Sequence, residues 1–114
     1  MKELNIGEMN VRVRATPLAL LYYKQEFKSD LLGDLVKMEA IKSDPSKLDS
    51  VALLQLIWAM AKADAHPNQF PSFETWLSTF TSFDFSDPSL LSAAMEEAAN
   101  GFFRRGKQGQ PIKQ

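Results

Sequence analysis

"NVRVRATPLALLYYKQEF", residues 10–27, is the stretch that decides the fold. Its first half alternates apolar Val11 and Val13 with basic Arg12 and Arg14, the period-two pattern of a half-buried strand. From Thr16 onward almost nothing is polar. Thr16-Pro17 accounts for the switch: threonine is a favoured helix N-cap and proline a favoured first helical residue, so a strand ends and a helix begins within two positions. In the helix predicted from 17 to 27, Leu18, Leu21 and Tyr22 make one apolar stripe, and Leu20, Tyr23 and Phe27 make a second. One stripe can cover the hairpin and the other the helical core. Leu20, Tyr23 and Phe27 are the face on which contact with another molecule is expected.

Upstream, a two-residue turn at Gly7-Glu8 gives a consistent hairpin register, glycine supplying the positive φ such turns need. Ile6 then faces Met9 and Leu4 faces Val11 on one side, while Glu3 faces Arg12 on the other. Two strands are marginal in water by themselves, so the apolar side of this hairpin, within residues 1–16, has to lie on helices.

Downstream, "SDLLGDLVKMEAI" predicts a second helix capped by Ser29 or Asp30, with Leu31, Leu32, Leu35, Val36 and Met38 on one face. "KSDPSKLDS" is a polar connector. A third helix, about 48–65, is apolar nearly all round and therefore central, and it stops at "AHPNQFP" with its two prolines. Ser72 caps a short fourth helix with Glu74 in its first turn, and Asp87-Pro88 opens a fifth with Leu91, Met95, Ala98 and Phe102 on one side. Asn100-Gly101 reads as its end. The fold class is mainly α with an α+β start: an N-terminal hairpin on a compact bundle of about five helices, one domain over residues 1–105 and a flexible basic tail over 106–114.

The 114 residues suffice for a single core, since a chain of this size buries roughly 65% of its unfolded surface. There is no cysteine, which excludes disulfides and thiolate metal sites and suits a reducing cytoplasm. The start "MKELNIGEMN" lacks an export signal's apolar core, and the longest apolar run, "VALLQLIWAMA" at 51–61, falls far short of the ~20 residues that span a bilayer. Charge is uneven: residues 1–42 carry +1, residues 43–101 carry −6 and residues 102–114 carry +4.

Catalytic chemistry finds little to work with. His66 is the one histidine, at a helix end, and Asp64 two positions before it would not share a helix face with it. The carboxylates stand singly apart from Glu96-Glu97, and no nucleotide, metalloprotease or nucleophile motif occurs, so neither enzyme activity nor a cofactor is expected. The aromatic stretch "FPSFETWLSTFTSFDF", 70–85, sets Phe73, Trp76, Leu77, Phe80 and Phe83 at helical spacing. Such a stripe ordinarily packs into the core; the alternative is a groove or patch where Phe73, Trp76 and Phe80 anchor a partner helix. Basic residues beside aromatics in "GFFRRGK" are a weak nucleic-acid footprint on an acidic body.

With "RATPLALLYYKQEF", "SDLLGDLVKM", "FETWLSTFTSFDF" and "NGFFRRGK" in hand, the chain resembles the tail assembly chaperones of long-tailed bacteriophages and prophages, in order and texture from residue 1 to about 107. The resemblance implies a small host-cytoplasmic helper that binds the helical tape measure protein and keeps it soluble while tail tube protein polymerises around it. It also implies the shorter of two products related by a programmed frameshift. No residue with an assigned role carries over. Surplus apolar surface could equally bury a homo-oligomer interface. The competing reading is a small DNA-binding or regulatory protein acting through Arg104, Arg105 and Lys107.

Overall fold

Strands β1 (Lys2–Ile6) and β2 (Met9–Val13) pair antiparallel in the expected register, with Ile6 opposite Met9, Leu4 opposite Val11 and Glu3 opposite Arg12. The structure is a computed structural model and describes residues 2–6, 9–40, 50–80 and 88–103. The Gly7-Glu8 turn, the connector at 41–49, Phe83, Phe85, Asp87 and the basic tail lie outside the described residues. Leu4, Ile6, Val11 and Val13 are buried, as one apolar hairpin face requires, while Met9 remains exposed.

Helices α1 (Pro17–Phe27), α2 (Leu31–Ala40), α3 (Ser50–Ala65), α4 (Phe73–Ser78) and α5 (Pro88–Ala98) follow in chain order. Among the described residues the protein is mainly helical, with this hairpin at its N-terminal end, and none of its helices is long and apolar enough to cross a membrane. The centre is α3. Leu53, Leu56, Ile57, Trp58, Met60 and the alanines 59, 61 and 63 are all buried, because α3 packs against β2, α1, α2, α4 and α5.

Where the hairpin sits differs from the expectation. Its apolar face lies on α3 through β2 and on α5 through β1, whereas α1 packs on α3 and α2. No stripe of α1 is needed to cover the strands. The Lys2 ammonium adds a peripheral tie from β1 to α5, meeting Glu96 Oε1 at 2.7 Å. That hydrogen bond, reinforced by the charge, holds the exposed Glu96 carboxyl below its ordinary pKa.

The helix signals act as anticipated at α2 and α4. Asp30 Oδ1 accepts from Leu32 N at 3.3 Å, and Ser72 Oγ accepts from Thr75 N at 3.3 Å. Ser29 turns instead to Asp34, donating to its Oδ2 at 2.8 Å. Of the expected α2 face, Leu31, Leu35 and Met38 are buried and Val36 is exposed. Thr16 has the extended backbone of a cap residue and Pro17 opens α1, but Thr16 Oγ1 makes no capping bond and is buried without a partner.

Gly101 also departs from its expected role. The chain does not stop there but continues from α5 through one π-helical turn, Ala99–Phe103. A methyl placed on Gly101 would overlap the Ala15 carbonyl and side chain, so glycine serves a close approach of backbones. Gly33, within α2, has only Asp30 near its missing Cβ, at an ordinary 3.6 Å.

The two glycines therefore respond oppositely to alanine. In urea unfolding, Gly33→Ala raises stability by about 0.5 to 1 kcal/mol, and Gly101→Ala lowers it by about 1 to 3 kcal/mol. Thr16→Val, measured the same way, leaves stability unchanged or higher, against the loss of about 1 kcal/mol that removing a working cap brings.

Candidate functional site

The short connector between β2 and α1 determines what lies beside it. Arg14 N donates to Met60 O in mid-α3 at 3.0 Å, and Ala15 N donates to the buried carboxylate of Glu97 on α5 at 3.0 Å. With its backbone held on both sides, the connector delivers Pro17 to the surface next to the C-terminal end of α3. An open groove of about 670 Å³ results. Pro17, Leu18, Leu21 and Ala63 form its apolar lining, and Arg14, Thr16, Asp64 and His66 its polar lining.

One carboxylate organises the polar side. Asp64, with its side chain 10% exposed, meets Arg12 Nε at 3.3 Å and Arg14 Nε at 3.2 Å. Arg12 in β2 and Arg14 one residue past its end alternate with Val11 and Val13, so period-two spacing puts both guanidiniums on the face opposite the apolar one. They straddle the same turn of α3 and strap the hairpin to it. Both remain about half exposed.

Beside the groove, and outside its lining, an aromatic and basic cluster reaches it through His66. Tyr22 Oη meets His66 Nδ1 at 3.0 Å, and Lys62 Nζ lies 4.5 Å from the Tyr22 ring centroid and 5.1 Å from that of Trp58. Asp64 and His66 line one groove without sharing a helix face, because α3 ends at Ala65 and His66 has left the helix. Each has its own partner, arginine for Asp64 and tyrosine for His66. Among the described residues no group of acidic and histidine side chains is arranged to hold a metal ion.

The six residues expected to contact a partner are placed mostly inward. Tyr23 is wholly buried, its hydroxyl donating to Asp34 Oδ2 at 2.8 Å, and Trp76 is 5% exposed. Leu20, Phe27, Phe73 and Phe80 are half-buried against the same core. Five of the six join in one ring-to-ring ladder: Tyr23 to Phe27 at 4.9 Å, Phe27 to Phe73 at 5.0 Å, Phe73 to Trp76 at 6.3 Å and Trp76 to Phe80 at 4.7 Å. Trp58 braces the ladder from α3, 5.4 Å from Phe27 and 6.2 Å from Phe73, with its Nε1 donating to Pro71 O at 3.1 Å.

The two α1 stripes differ at one residue each, since Leu18 and Tyr22 are half-buried just as Leu20 and Phe27 are. Tyr23 faces the core, while Leu21 of the other stripe is 49% exposed and, with Leu18, lines the groove. Met9, Val36 and Val51 are also exposed, but they sit on three different elements. Sequence reading sets Arg12 opposite Glu3 across the hairpin and assigns Arg14 and Lys62 no partner. A signal was present in the alternating "RVR", which puts Arg12 and, just past the end of β2, Arg14 on one side of the extended chain.

Compared with protein-family models, with curated proteins and with solved structures, the chain gives no significant match in any of the three. The class defined by its own geometry is a small helical protein with an N-terminal hairpin and a cation-rimmed apolar groove.

Asp64→Ala leaves two guanidiniums facing one another without their shared carboxylate. It lowers stability by about 1 to 2 kcal/mol, and the loss shrinks at high salt; double-mutant cycles with Arg12→Ala and Arg14→Ala measure each arginine's share.

Proposed function

We propose that this chain is a non-enzymatic assembly chaperone that holds an apolar helical segment of another protein. Given its resemblance, the partner is the tape measure protein of a long-tailed phage, kept soluble in the host cytoplasm while tail tube protein assembles round it. The observation that carries the reading is Leu21, a large apolar side chain half exposed beside Leu18 and Pro17 on a helix whose opposite stripe is spent on the core. A holdase needs apolar surface of this kind on a body that is itself well packed. The buried aromatic ladder and α3 supply that body.

A binding role also suits the groove's polar groups. Asp64 is engaged by two arginines and His66 by Tyr22, an arrangement that fixes the walls and leaves neither group poised beside a nucleophile.

Co-expression with the long helical product of the adjacent gene tests the proposal. The partner is expected to move from the pellet to the soluble fraction and to copurify with this chain. A partner equally insoluble with and without it refutes the chaperone reading.

A further inference from the structure

The groove offers two kinds of surface at once. Along one wall Pro17, Leu18 and Leu21 present apolar surface, and Ala63 adds a small side chain opposite. At its rim stands Arg14, one of two half-exposed guanidiniums that share the Asp64 carboxylate through Nε, with Arg12 outside the lining. With Glu3 opposite Arg12 and Asp64 shared by both arginines, it is Lys62 that leaves the local balance positive, on a chain that carries −1 as a whole. Lys62, adjacent in the chain to the lining residue Ala63, is the third cation, set over the faces of Tyr22 and Trp58.

A cation shared between rings and a carboxylate shared between arginines both leave capacity for a further anion. The groove is open, unlike an enclosed small-ligand cavity, and its volume matches a few side chains. Charge and shape together fit one face of roughly two helical turns.

We propose that the groove between α1 and the end of α3 captures an amphipathic helical segment in which leucine-like side chains lie next to a carboxylate. The apolar side chains pack on Leu18, Leu21 and Pro17. The carboxylate takes the remaining charge of Arg14, with Arg12 behind it. This rests on the reading of the chain as a protein-binding helper and adds to it the surface used and the acidic character of the segment recognised. Charge selects the partner, since a basic amphipathic helix meets like charge at the rim.

The test uses the full chain and a synthetic helical peptide of about 15 residues with leucines on one face and glutamates flanking them, followed by amide chemical shifts and a binding isotherm. A control peptide carries glutamine in place of each glutamate. Shifts are expected at Leu18, Leu21 and Ala63, with the glutamine peptide binding roughly tenfold more weakly. Arg14→Gln is expected to remove that preference, and Leu21→Asp, on an exposed side chain, to abolish binding while the other amide shifts stay in place. Equal binding of both peptides overturns the proposal, as do shifts centred on Met9, Val36 or Val51, or no binding at millimolar peptide. Groove shifts that depend on protein concentration without peptide overturn it too, since the occupant is then a second copy. The co-expression result is independent of all these outcomes, so a chaperone acting through another surface is distinguished from no chaperone at all.

Discussion

Two backbone hydrogen bonds determine how this chain closes. Arg14 N reaches a mid-helix carbonyl of α3, and Ala15 N reaches a buried carboxylate on α5, while Gly101 lets the π-helical turn lie directly against Ala15. Burying a charged carboxylate is costly unless it is hydrogen-bonded, so Glu97 is tolerated because it accepts from a backbone donor that needs a partner as well. The clasp seats the hairpin on α3 and α5. With that side occupied, α1 packs on α3 and α2 and turns one stripe toward them.

The electrostatics follow from the same placement. Once β2 runs along α3, Arg12 and Arg14 come within reach of Asp64, and a single well-shielded carboxylate orients both. The pairs add modestly to stability because both guanidiniums are half exposed. Their larger consequence is a guanidinium at the rim beside an apolar wall, on a chain whose central region is acidic. Aromatic residues, which in a sequence suggest a sticky exterior, are here largely used up in holding α1, α3 and α4 together.

Much of the local structure was legible. Register in the hairpin followed from pairing apolar residues on one face, and the starts of α2 and α4 followed from Asp30 and Ser72. Thr16 was half right: its backbone caps α1, but the side chain is shut into the wall with no donor to satisfy. Gly101 carried an ambiguous signal, since glycine after a helix marks either a left-handed stop or a tight approach, and only the position of Ala15 distinguishes them. The candidate groove was hidden for a similar reason. Its walls come from residues 14–21 and 63–66, and no local pattern announces that the end of α3 will meet the start of α1.

By itself the sequence determined which segments are strand and helix, their register and most of their boundaries, because alternation, helical spacing, caps and prolines act between near neighbours. Tertiary structure alone decided which face of α1 is inside. Both stripes are apolar enough to be buried, so helix periodicity could not rank them. The choice was made by contacts of residues 14 and 15 with Met60, Glu97 and Gly101, partners 46 to 86 positions away in the chain. Those contacts seat the hairpin over α3 and α5, and in doing so leave Leu21 at the surface and Tyr23 in the core.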